Sequence, residues 1–328
     1  MPTDEMVNSK HVKEERTPTV GYRGATGRAP LLGLNMHPNW LVGRSAEDFL
    51  FPLREVGLNV LEFTLNPSSP DWLEIRSLIE ECHRLGFRIT FHAPYKDPHN
   101  PAGFSGAKRD EVEWLYRPAL AYAARIAEEA GTTTLVVHGA KGHGPREELR
   151  RDTQAFLAWI GEEFANLRPC IELLVREDRA NKIGDNKAEL VDIVSGPSLR
   201  LVSKATSVQA TGLRAGLGSS KVGICWDLGH DARNGSVAAP PGFIASVRHV
   251  HLHDIAPDGT DHCPLLFGNV PYEKYLRQLI RAGYKGAVIL EVNGYLVLQF
   301  ATATGQLPFP ILQDNLSLLA RLLEPPLQ

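Results

Sequence analysis

From residue 31 to the C-terminus the chain alternates short, continuous apolar runs with stretches whose apolar positions recur every three or four residues. The runs, at residues 31–36, 59–65, 87–92, 132–138, 170–177, 222–227, 248–254 and 287–291, have the length and β-branched character of buried strands. The periodic stretches between them predict helices. Ser45 precedes Ala46, Glu47 and Asp48 as an N-cap for a helix ending near Gly57. Further helices are predicted over 71–85, 109–130, 146–167, 187–195, 272–282 and 310–323, two of them closed by Gly86 and Gly131.

Strands each followed by a helical stretch, with no linker between them, give an α/β fold and predict a single (β/α)8 TIM barrel over residues 31–328. An open doubly wound sheet is the competing arrangement. Helix-to-strand joints are tight, whereas the loops 96–108, 139–145 and 255–271 are long and follow strands, on the face where such barrels keep their sites. Two segments stand outside the pattern. Residues 1–30 are polar and read as a disordered tail, and residues 199–220, rich in Ser, Thr, Gly and Ala, read as an insertion on the opposite face.

Composition narrows the function classes. A formal charge of -3 argues against a chain whose main partner is a phosphate backbone, so nucleic acid is not signalled. No run of 18 apolar residues occurs, which excludes a helical membrane span. The four cysteines are scattered without a Cys-x-x-Cys pair and read as reduced thiols, which with the lack of a secretory leader gives a cytoplasmic expectation. A homo-oligomer is compatible with this composition.

The candidate chemistry lies at strand ends. In Val222-Gly-Ile-Cys-Trp-Asp-Leu-Gly-His230, the two-residue period puts Val222, Ile224 and Trp226 on one face and Gly223, Cys225 and Asp227 on the other. Asp227 and His230 then straddle a turn that Gly229 allows to bend. His92, His138, Glu177 and Glu291 likewise close their strands, and in a parallel barrel all such ends meet at one mouth. His249, His251 and His253 share one face of the seventh strand; His251 is the preferred ligand, with His253 as the alternative, and His262 follows in the next loop. Surface or packing roles are expected for His11, His37, His83, His99 and His143, and solvation for Lys141 and Arg109. The charge run 146–152 is expected to be an exposed helix face.

The segments His92-Ala-Pro-Tyr95, Val136-Val-His-Gly139, Cys225-Trp-Asp-Leu-Gly-His230, His251-Leu-His-Asp254 and Ile289-Leu-Glu291 resemble the xylose isomerase-like TIM-barrel superfamily, which holds sugar isomerases and epimerases and the endonuclease IV group. For the first branch the resemblance implies Glu177, Asp227, His251 and Glu291 as ligands of one divalent ion, Mn2+ or Mg2+, with Co2+ or Zn2+ also accommodated. Glu177 and Glu291 would move a proton of a sugar or polyol substrate through a metal-stabilised enediolate, and His92, His138, His230 and His262 would bind substrate. For the endonuclease IV branch the same histidines would join the carboxylates around a zinc cluster acting on a phosphodiester. This sequence departs from that branch at Thr260-Asp261-His262, where an Asp-x-His is usual, and in having only Arg233 in the loop after His230. A lyase or dehydratase on the same scaffold, or a barrel that binds without turnover, are the remaining readings.

Overall fold

The computed structural model describes residues 29–41, 43–177, 179–196 and 222–324. Residues 1–28 of the expected tail, and the whole of the expected insertion at 199–220, lie outside them. Eight parallel strands close into a barrel: β1 (Leu31–Asn35), β2 (Leu58–Thr64), β3 (Arg88–His92), β4 (Thr133–Val137), β5 (Leu167–Glu172), β6 (Gly223–Asp227), β7 (Val247–Leu252) and β8 (Ala287–Leu290). Closure comes from β1 pairing in parallel with both β2 and β8. The doubly wound alternative is thereby excluded.

Helices α1 (Ala46–Glu55), α2 (Trp72–Arg84), α3 (Arg109–Ala130), α4 (Arg146–Glu163), α5 (Lys187–Ser195), α6 (Leu228–Arg233), α7 (Phe243–Ser246), α8 (Tyr272–Arg281), α9 (Gly294–Thr304) and α10 (Pro308–Leu323) connect or follow the strands. The main apolar core lies between the strands and this outer layer. In α8, Tyr272, Tyr275, Leu276 and Leu279 form the buried stripe that helical spacing requires. Ser45 caps α1 through its hydroxyl, which accepts the Asp48 amide at 3.0 Å. Gly131 ends α3 with φ 94°, a conformation that favours glycine.

Four expectations change. The helix expected over 146–167 ends at Glu163, because Leu167 already begins β5. The fifth strand is not 170–177: β5 starts at Leu167 and stops at Glu172, and Leu173 and Leu174 are buried beyond its end, which is why the apolar run continues past it. The charge run 146–152 is not a free face. Arg146 bonds Asp185 at 2.5 Å and Glu189 at 2.6 Å, and buried Asp152 accepts the amides of Gly103 at 2.6 Å and Ser105 at 2.9 Å. Gly229 lies within α6 and serves close packing rather than a bend, because a Cβ there would overlap the His253 imidazole.

Candidate metal centre

The strands carry polar side chains inward where a barrel of this kind is commonly filled by aliphatic ones. The β6–β7 register aligns Asp227 with His251, so the two inward-facing side chains meet. Trp226 points the other way, onto Phe243 and Tyr275. Four residues then converge from four strands: Glu172 from β5, Asp227 from β6, His251 from β7 and Glu291 just beyond β8. One donor atom from each lies within 4.8 Å of all the others. His251 Nδ1 is 2.9 Å from Glu291 Oε2 and 3.4 Å from Glu172 Oε1. Asp227 Oδ2, His251 Nδ1 and Glu291 Oε2 are buried yet make no hydrogen bond, an arrangement that costs free energy unless a cation completes it. The residues present therefore fit a divalent ion. Three carboxylates and one imidazole suit a hard cation such as Mn2+ or Mg2+.

Glu177 is not in this group. It sits in the loop after β5, where Lys141 Nζ at 2.7 Å and Lys182 Nζ at 3.2 Å hold its carboxylate below its ordinary pKa. Those lysines belong to a short antiparallel pair, Lys141–Gly142 with Asn181–Lys182, at the cavity rim. So Lys141 is not simply solvated. The carboxylate that reaches the ligand group is Glu172, whose position the continuous apolar run around it concealed.

The expected histidines all border this group. His92 Nε2 at 3.1 Å and His138 Nε2 at 2.9 Å both meet Glu172 Oε2. His230 Nδ1 lies 3.1 Å from Asp227 Oδ2, and the Asp227 carboxylate caps α6 by accepting the His230 amide at 2.9 Å. His253 faces Asp227 from the other side, Nε2 to Oδ1 at 3.3 Å, and its ring lies 4.1 Å from that of His262. Of the two candidates, His251 on β7 and His253 just beyond it, His251 is the one within the carboxylate group. His249 instead pairs with Glu62 in the barrel interior. Two donor groups rich in imidazole thus flank the four: His92, His138 and Glu172 on one side, His230, His253 and His262 on the other. His99 takes the packing role of the two expected for it, buried and edge-on to Tyr116.

Electrostatics keep the carboxylates ionised. Burial pushes Glu172 up, but His138, His251 and His92 outweigh it and hold the group well below the usual range. Burial also opposes ionisation of Asp227 and Glu291, and the imidazoles beside them lower both. Burial depresses His138 despite Glu172, whereas at His92 the attraction of Glu172 overcomes burial and raises the ring.

A cavity of about 890 Å3 opens above the group and is bordered by His92, His138, His230, His262 and Glu291. Through Asn35, Tyr95 and Asn293 it continues into a second, more apolar lobe of about 910 Å3, walled by Trp40, Phe49 and Phe309. Three of the cations around the first lobe are paired, Lys141 and Lys182 with Glu177 and Arg233 with Asp261, while Lys96 Nζ lies over the Tyr95 ring. Asp261 therefore gives its carboxylate to the arginine rather than to His262.

A family model described as xylose isomerase-like TIM barrel matches residues 52–308. The chain belongs to the xylose isomerase-like TIM-barrel family. Solved structures of the same fold include a D-tagatose 3-epimerase-like protein, 21% identical, covering 89% of this chain and 98% of the other with a TM-score of 0.56. D-allulose 3-epimerase from Methylomonas sp. in complex with D-allulose is 13% identical over 90% of this chain and 97% of the other, TM-score 0.58. A probable 3-DHS dehydratase from Bacillus anthracis is 15% identical over 88% and 98%, TM-score 0.53. No curated protein matches the chain. The family membership accounts for the barrel, and the low identities to the solved structures support likeness of fold alone. Among the described residues, no helix is long and apolar enough to cross a membrane.

Proposed function

We propose that this chain is a divalent-metal-dependent isomerase or epimerase of a small sugar or polyol-derived carbonyl compound. The observation that carries the reading is the pair of carboxylates, Glu172 and Glu291, brought from different strands to either contact of His251 Nδ1, at 3.4 Å and 2.9 Å. Glu172, Asp227, His251 and Glu291 would hold the ion, which when bound polarises a carbonyl and offsets the negative charge that builds on its oxygen. The chain's own side chains do the rest. One ionised glutamate takes the proton from the carbon next to the carbonyl, and the second delivers a proton to the opposite face, inverting the centre, or to the neighbouring carbon, moving the carbonyl. The depressed pKa values favour the base form of the glutamate that accepts, and the other enters each turnover carrying a proton taken from solvent, which the proton released by the first replaces. His92, His138, His230 and His262 border the same cavity as donors or acceptors for substrate hydroxyls. The similarity of fold to sugar 3-epimerases, one of them bound to D-allulose, supports this substrate class.

The test is proton exchange. Manganese-loaded protein incubated in D2O with D-allulose, D-tagatose and D-fructose is expected to incorporate deuterium beside the carbonyl of at least one of them, read by NMR. Glu172→Gln and Glu291→Gln are each expected to slow exchange by roughly 10²–10⁴-fold. Metal-loaded protein that leaves every ketose and polyol-derived carbonyl compound of a broad panel unexchanged would sink the reading.

One observation favours a second reading, a zinc phosphodiesterase of the endonuclease IV kind. The two flanking groups supply five further imidazoles, with Glu172 shared between one of them and the central four. Against it stand Asp261, engaged by Arg233, and the pairing of Lys141, Lys182 and Arg233 with carboxylates, which among the described residues leaves Lys96 as the rim cation without one to grip a phosphate backbone.

A further inference from the structure

The site described so far makes no use of the buried acid Glu62. Glu62 stands in the middle of β2, between Leu61 and Phe63, only 2% exposed and inside the barrel beneath the ligand group. The register aligns it with Thr90 of β3, whose hydroxyl donates to Oε2 at 3.2 Å. Across the barrel, its two carboxylate oxygens are divided between two histidines of β7. Oε2 lies 2.7 Å from His249 Nε2, and Oε1 lies 2.7 Å from His251 Nε2. A carboxylate in a barrel interior is costly to maintain, so this one is retained against the aliphatic residue that would fill the same volume.

We propose that Glu62 is a positioning residue for the cation site, fixing His251 with its proton on Nε2 and its Nδ1 lone pair turned toward Glu172 and Glu291. An imidazole has two nitrogens and can offer a lone pair from only one while the other bears hydrogen, so whatever holds the far nitrogen decides which one ligates. Both nitrogens of His251 are buried: Nε2 lies 2.7 Å from Glu62 Oε1, while Nδ1 lies among the ligand carboxylates, 2.9 Å from Glu291 Oε2 and 3.4 Å from Glu172 Oε1. His249 completes the device by occupying the second oxygen of Glu62, which pins the carboxylate in the plane that serves His251. The contact that joins Glu62 to the ligand group is the one it makes with the His251 ring. The inference rests on the cation-binding part of the proposed function and not on the reaction that follows.

The experiment uses the full chain, with Mn2+ alone as ligand, so that it stands or falls separately from any catalytic assay. By calorimetry, Glu62→Gln is expected to weaken Mn2+ binding by about 10- to 100-fold, while Glu62→Asp, which keeps the charge, recovers part of the loss. In ¹⁵N-histidine NMR of chelated wild-type protein, read at a pH above the raised pKa of the ring, His251 is expected as the Nε2–H tautomer, and Glu62→Gln is expected to populate the Nδ1–H form. A wild-type His251 protonated on Nδ1 alone overturns the proposal without any variant. So does a folded Glu62→Gln protein whose Mn2+ affinity lies within threefold of wild type. Loss of the ketose exchange reaction with both of these readouts intact would instead remove the isomerase reading and leave the role of Glu62 standing.

Discussion

His253 shares Asp227 with the cation site, and that makes it sensitive to pH in the metal-free chain. Burial resists its protonation, but the adjacent Asp227 carboxylate prevails and raises it from 6.5 to about 9. Its other nitrogen is placed for either state, 3.0 Å from the His262 amide when it accepts and 3.2 Å from the Asp254 carbonyl when it donates. A group whose pKa is raised on folding contributes stability that is whole below its unfolded pKa and disappears as pH rises through the folded value. Chelator-treated protein is therefore expected to lose on the order of 3 kcal/mol between pH 6.5 and pH 10, measured by denaturant titration. In His253→Asn that decline should flatten, and an unchanged decline would show that another group is responsible. The placement of His253, like those of Asp227, His251 and Glu291, could be anticipated because each lies at or near the end of an apolar run that terminates cleanly. Glu172 could not, since Cys170, Ile171, Leu173 and Leu174 make one apolar run on both sides of it and only the buried loop after β5 tells strand from continuation. Glu62 gave a fainter signal, a lone charge among Val60, Leu61 and Phe63 in a strand with no exposed face on which to put it.

At the scale of elements, the segment from β6 through α6 is fixed by a buried ion pair that involves none of the four candidate ligands. Lys187, the first residue of α5, places Nζ 2.6 Å from Asp231 Oδ2, with side chains 7% and 2% exposed. The same oxygen accepts from Trp226 Nε1 at 2.9 Å, and Lys187 also donates to the Val237 carbonyl at 2.6 Å. Burial pushes Asp231 up even with the ammonium beside it. Removing one partner strands the other, so Lys187→Met is expected to cost about 3–5 kcal/mol in urea unfolding, whereas Lys187→Met with Asp231→Leu should recover most of that loss. A single substitution costing under about 1 kcal/mol would refute the assignment. Neither α6 nor its anchoring was legible beforehand, because six residues are too few to show a period. The long helix α3 was read to the residue, since its buried stripe is continuous and Gly131 stops it. By contrast α9 escaped notice: it buries only Val297 and Ala301 and is apolar nearly all round, so its spacing carries little contrast.

For the molecule as a whole, the barrel collects more metal-binding side chains at its mouth than one ion needs, and the number of ions it takes decides between the two readings of its chemistry. The central group is rich in oxygen and the flanking groups in imidazole, so different cations are expected to count different sites. Mn2+ should saturate near one equivalent per chain, because beyond the central four the remaining donors are mostly nitrogen. Zn2+ binds imidazole more readily and should show additional, weaker uptake at His92, His138 and Glu172, since that flanking group includes a carboxylate. The group of His230, His253 and His262 has no carboxylate of its own, Asp261 being held by Arg233, and should fill last. Calorimetric titration of His138→Ala is then expected to remove the second zinc step and leave Mn2+ binding intact. Three tight zinc equivalents in the wild type, together with incision of abasic duplex, would overturn the isomerase reading. One tight equivalent of either metal, with no incision, would leave the imidazoles around Glu172 and Asp227 to the substrate hydroxyls and to holding those carboxylates in place.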